Sequence, residues 1–102
     1  MIHAEISIYP IGTDSTSLSF YISKAIESLQ DKNIKYQTTP MGTILESDNL
    51  EKIFLASKEA VETVHRLGVK RVEVVLKIDS RRDKDQTMQQ KLDSIESHSK
   101  RS

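Results

Sequence analysis

The hydrophobic pattern of this chain switches repeatedly between a period of two and a period of three to four, and the order of those switches leaves few architectures open. From His3 to Tyr9 the residues alternate strictly, with Ala4, Ile6 and Ile8 on one side and His3, Glu5, Ser7 and Tyr9 on the other, as in a half-buried strand. Pro10 and Gly12 stop it. Leu18, Ile22, Ala25, Ile26 and Leu29 then recur at helical spacing and predict an amphipathic helix from about Ser15 to Asp31. Residues 34–39 are rich in β-branched and aromatic side chains, Pro40 interrupts them, and Met41 to Glu46 is extended again. The expectation is a strand pair with an irregular join at Pro40. Asp48-Asn49-Leu50-Glu51 has the spacing of a capping box with Asp48 as the cap. Behind it Leu50, Ile53, Phe54, Ser57, Ala60, Val61 and Val64 form a core stripe, and Gly68 stands where a left-handed residue ends a helix. Arg71 to Asp79 is the last strand, with Val72, Val74, Leu76 and Ile78 against Arg71, Glu73, Val75, Lys77 and Asp79.

Strand, helix, strand, strand, helix, strand is the α+β ferredoxin-like βαββαβ plan, an antiparallel sheet with both helices on one face. After the charged turn Arg81-Arg82-Asp83-Lys84-Asp85, a weaker stripe of Met88, Leu92 and Ile95 predicts a short C-terminal helix over about 86–96, resting on a sheet edge or a neighbouring chain. At 102 residues there is room for one two-layer core, so residues 1–96 are expected as a single domain and the aperiodic 97–102 as a disordered tail.

Composition excludes several classes of function. Fifteen basic and fifteen acidic side chains cancel, which removes the excess charge that tracks nucleic-acid phosphate or anionic lipid. The absence of cysteine removes disulfides, thiolate nucleophiles and thiolate metal sites. No apolar run approaches the roughly 20 residues of a membrane span, and Met1-Ile2-His3-Ala4-Glu5 is unlike a signal peptide. A soluble cytoplasmic protein is expected. His3, His65 and His98 lack metal-ligand spacing, three glycines offer no phosphate loop, and no nucleophile sits in a strained elbow, so catalysis is not expected. An RNA-binding sheet of the same topology stacks bases on aromatics, and here only Tyr9 is placed for that.

Two helices cover one sheet face. The other carries Glu5, Ser7, Tyr9, Glu73, Val75, Lys77 and Asp79, a mixed surface that fits either a subunit interface with ion pairs or a ligand pocket at such an interface. The segments Glu5-Ile6-Ser7-Ile8-Tyr9-Pro10-Ile11-Gly12-Thr13, Ser17 with Tyr21, Pro40-Met41-Gly42-Thr43-Ile44-Leu45-Glu46, Lys77-Ile78-Asp79-Ser80-Arg81, and Thr87-Met88 with Lys91 resemble, in order and spacing, the small thiamine-binding protein family. The resemblance covers nearly the whole chain. It implies a ferredoxin-like domain that pairs into an extended sheet and assembles through its open faces into a homotetramer, binding thiamine or its hydroxymethylpyrimidine moiety without catalysis or cofactor. Ser47 departs from the family's usual Gly after the carboxylate at 46, which bears on the turn before Asp48.

Thiamine presents a thiazolium cation and an aminopyrimidine. Glu5 and Glu46 would supply carboxylates, Tyr9 a ring face, and Ser7, Ser17 and Thr43 short hydroxyls for a flat heterocycle. Lys77 and Arg81 suit an anion better, and are expected to neutralise Glu46 or Glu5 across the sheet. The alternative is a structural or regulatory homo-oligomer with no small-molecule ligand.

Overall fold

The computed structural model describes residues 1–13, 18–30, 33–83 and 86–99. Its elements are β1 (Ile2–Ile11), α1 (Ser19–Glu27), β2 (Lys35–Thr39), β3 (Gly42–Ser47), α2 (Leu50–Arg66), β4 (Arg71–Ser80) and α3 (Met88–Ser99). The strands form one antiparallel sheet in the order β2-β3-β1-β4, the ferredoxin-like arrangement that the alternating periods require. The helix expected over 15–31 is shorter among the described residues: α1 begins at Ser19, after Leu18, and ends at Glu27, with 28–30 outside it, while 15–17 and 31 lie outside the described residues.

Strand alternation decides the layers. Ile2, Ala4 and Ile6 of β1 meet Leu45 of β3 and the inward side chains of β4, and against them pack Ala25 and Leu29 near α1 and Ile53, Ala56, Ala60 and Val64 of α2. The expected α2 stripe is corrected at its flanks, where Leu50 and Phe54 are exposed and Ala56 is buried. Ala56, Ser57 and Ala60 make a narrow contact line that lets α2 sit close to the sheet, and Phe54, one position round the helix, is left at its side.

Two local expectations change. The α2 cap is Asn49, not Asp48: Asn49 Oδ1 accepts from the Glu51 N–H at 2.8 Å, while Ser47 Oγ accepts from the Asn49 N–H at 3.1 Å. An amide oxygen one residue nearer the helix reaches the first-turn donor, and Asp48 is left exposed. The join at Pro40 is also regular. Thr39 pairs directly with Gly42, making a two-residue hairpin, and Thr39 Oγ1 accepts from the Met41 and Gly42 N–H groups while donating to the Gly42 carbonyl at 2.8 Å. One hydroxyl thus satisfies the donors that Pro40 cannot help to pair. Gly68 has φ +98, the left-handed end expected of α2.

Candidate functional site

The sheet creates two recesses on opposite sides of the β2–β3 hairpin. The first, about 230 Å³, opens between that hairpin and α1; Ile22, Ala25, Ile26 and Leu29 form an apolar floor, and Ser7, Tyr9, Met41 and Thr43 border it. The second, about 450 Å³, lies on the open sheet face beneath the start of α3, with Glu5, Gln37, Ile44, Lys77, Met88 and Leu92 around it. Thr39 borders both.

The residues expected at the site are therefore divided. Ser7, Tyr9 and Thr43 come together at the hairpin recess, because it wraps round the end of β3 and meets both faces of the sheet there. Ser7 Oγ donates to the Met41 carbonyl at 3.1 Å, and its lone pairs accept from no donor among the described residues. Tyr9 is 45% exposed at the mouth. Thr43 is buried, yet its hydroxyl makes no hydrogen bond among the described residues. No fully enclosed side-chain polar atom among those residues lacks a partner, so the Thr43 oxygen keeps access to the recess. Ser17 lies outside the described residues.

Glu5 belongs instead to the open-face recess, and its carboxylate, like the Lys77 ammonium opposite it on β4, has no ion pair among the described residues. The expected neutralisation by Lys77 or Arg81 is corrected. Arg81 is engaged by Asp83 at 2.9 and 3.2 Å, and that hydrogen-bonded carboxylate holds the guanidinium proton more tightly than usual. Glu46 is buried and occupied elsewhere: Oε1 accepts from His3 Nε2–H at 3.1 Å and from the Met88 backbone N–H at 2.8 Å, and Lys35 Nζ stands 3.8 Å from Oε2. Where this carboxylate is ionised it only accepts, and the proton of the His3 bond is then on Nε2.

His3 was the residue that sequence reasoning passed over. It shares the polar side of β1 with Glu5 and pairs in register with Glu46, a signal available once β1 and β3 are taken as antiparallel neighbours. Lys91 also joins α3 to the sheet. Its ammonium bonds Asp79 at 3.0 Å, and that hydrogen bond, with the accompanying charge, lowers the Asp79 pKa from 3.8. Among the described residues no group of histidines and carboxylates is arranged to hold a metal ion.

This chain is similar throughout to proteins from distant organisms. A UPF0045 protein of Methanothermobacter thermautotrophicus is 44% identical over 95 residues, covering 93% of this chain and 96% of that one. The Bacillus subtilis UPF0045 protein YqgV is 37% identical over 99 residues, covering 93% and 94%. Among solved structures, a hypothetical protein of Methanocaldococcus jannaschii superposes with a TM-score of 0.84 at 45% identity over 92% of this chain and 94% of that one. A candidate thiamine biosynthesis/salvage protein of Thermotoga maritima shares the fold, with a TM-score of 0.77 at 24% identity and coverage of 92% and 97%. Residues 4–96, from Ala4 of β1 through most of α3, match the family model described as "Thiamine-binding protein". With that match and relatives this similar over almost their full length, the chain belongs to the thiamine-binding protein family.

Proposed function

We propose that this protein binds thiamine through its aminopyrimidine part, without catalysis, in the hairpin recess, and that in a cytoplasmic homotetramer a second copy lies over the mouth of that recess. The observation that carries the reading is the pairing of an apolar floor with the Thr43 hydroxyl, which has no hydrogen-bond partner among the described residues, and the acceptor side of Ser7. A flat ring lies on such a floor, and its ring nitrogens and amino group need short donors and acceptors at the edge. Size favours the same fragment. Pockets for drug-sized ligands run to roughly 300–1,000 Å³, whereas this recess holds about 230 Å³, room for one heterocycle with the second ring outside. The thiazolium then lies at the mouth beside Tyr9, whose ring face is worth about 0.5–1 kcal/mol to an exposed cation. Met41, 81% exposed, supplies an apolar rim that a neighbouring copy would cover. Nothing bordering the recess forms an acid–base or nucleophile pair among the described residues, which suits holding rather than transforming the ligand.

The test is titration calorimetry of the parent and Thr43→Val with thiamine, hydroxymethylpyrimidine and thiamine phosphates, with oligomeric state followed in the same buffer. Saturable heat is expected with thiamine and hydroxymethylpyrimidine, weakened by about 10-fold or more in Thr43→Val, because a polar group of the ligand is left unpaired. Equal affinity in the variant would remove the recess from the reading. No heat from any ligand on an intact oligomer would favour a structural or regulatory assembly.

A further inference from the structure

α3 is anchored to the sheet at one end only. Its N-terminal turn meets the open face, while Leu92 and Ile95 further along are 47% and 64% exposed, so apolar burial holds the helix weakly. Among the described residues, two polar ties join it to the strands: the Met88 N–H to Glu46 Oε1 at 2.8 Å, and Lys91 Nζ to Asp79 at 3.0 Å. The second is a largely exposed ion pair, of a kind that contributes little. The first is different. Glu46 is buried on β3, where a carboxylate is tolerated only if its lone pairs are filled, and the Met88 amide fills one of them beside His3. That amide is in the first turn, where a helix has no internal acceptor for it and where a negative charge is favoured.

The helix also carries its own cap. Thr87 Oγ1 accepts from the Gln90 N–H at 3.2 Å and Gln90 Oε1 accepts from the Thr87 N–H at 2.8 Å, a reciprocal capping box that survives if the helix leaves the sheet. We infer that α3 is a self-capped strap that closes the open-face recess as a unit, and that Glu46 is its latch rather than a ligand contact. Release of the Glu46–Met88 bond frees the helix and exposes the Ile44 floor and the Glu5 and Lys77 side chains beneath it. His3 is the positioning residue, holding the carboxylate toward the strap by its Nε2–H.

Amide exchange on the 102-residue chain, followed residue by residue by NMR, reads the latch directly, since the Met88 N–H has no other acceptor among the described residues. In Glu46→Gln, which keeps the shape and loses the charge, Met88 exchange should rise roughly 10-fold, and further in Glu46→Ala, with the β1 amide of Ile6 unchanged in the Gln variant and helical circular dichroism retained. Lys91→Ala should leave Met88 exchange within about 2-fold of the parent. Unchanged Met88 exchange in Glu46→Gln, or exchange rising only in step with Ile6, overturns the latch. Should Glu46→Ala fail to fold, the Gln variant alone decides.

Discussion

Gly42 is the position where a single added methyl should be felt most directly. A Cβ built there stands 2.8 Å from Ser7 Oγ, 3.1 Å from the Ile6 carbonyl oxygen and 3.3 Å from Glu5 Cγ. The hydroxyl can rotate away, giving up its bond to the Met41 carbonyl. The Ile6 carbonyl cannot, because it lies in β1, paired on both sides by β3 and β4. Overpacking of this kind costs about 1–3 kcal/mol. The backbone at Gly42 is not left-handed, so Ala also gains about 0.4–1 kcal/mol by restricting the unfolded chain. The net expectation for Gly42→Ala is a loss of roughly 1–2 kcal/mol, or about 5–15 °C in a domain of this size. Urea and thermal unfolding measure it, and the Ser7→Ala/Gly42→Ala double variant divides it. If Ser7 carries the clash the double variant recovers most of the loss; if the carbonyl does, it recovers little. A Gly42→Ala protein as stable as the parent would refute the reasoning, since it would mean that the sheet yields freely beside the hairpin.

Leu45 is fully buried between the sheet and the helices, and Leu45→Ala should lower stability by about 2–5 kcal/mol, a large part of what a domain this small has, read from the shift in urea midpoint. The Lys91–Asp79 tie has a signed pH dependence. Lys91 lowers the Asp79 pKa below 3.8, so its stabilisation is present above that value and disappears as pH falls through the folded-state pKa. The stability difference between the parent and Lys91→Ala should thus be seen at neutral pH and vanish in acid; a difference that persists at pH 2 would show that Lys91 acts through packing alone.

Most of the sheet was legible because alternation is a backbone property. Ile2, Ala4, Ile6 and Leu45 are buried as the period of two requires, and Gly68 took the left-handed conformation that the end of a helical stripe demands. The α2 cap was less legible. Asp48 and Asn49 are both good caps, and only the path of the chain after Ser47 decides which side chain meets the Glu51 amide. The division of the site was partly written in the numbering. Thr43 and Glu46 are an odd number of residues apart on one strand, so their side chains leave opposite faces and could not line one flat pocket. What numbering could not show is that the hairpin recess curls round the strand end, where Ser7 and Tyr9 of one face meet Thr43 of the other. The fate of Glu46 was hidden for another reason: one of its partners is a backbone amide of α3, and backbone donors leave no mark in a sequence.

The same strand therefore serves both sides of the sheet. Along β3, Thr43 and Leu45 point toward the helices, one into the hairpin recess and one into the core, while Ile44 and Glu46 point toward the open face, one under the strap and one holding it. Because β3 is paired on both sides by β2 and β1, it has little freedom to shift for one face without shifting for the other. Thr39 strengthens that link. Its hydroxyl closes the hairpin by bonding residues 41 and 42, and the residue borders both recesses. The open face beyond the strap is where covering by another molecule has most to offer, since Val75 is 59% exposed there and Tyr9 flanks it. Tyr9 also stands at the mouth of the hairpin recess, so a copy seated on that half of the face would meet the proposed ligand site and leave the strap end uncovered. An assembly built this way separates the two recesses by position while keeping them joined through a single strand.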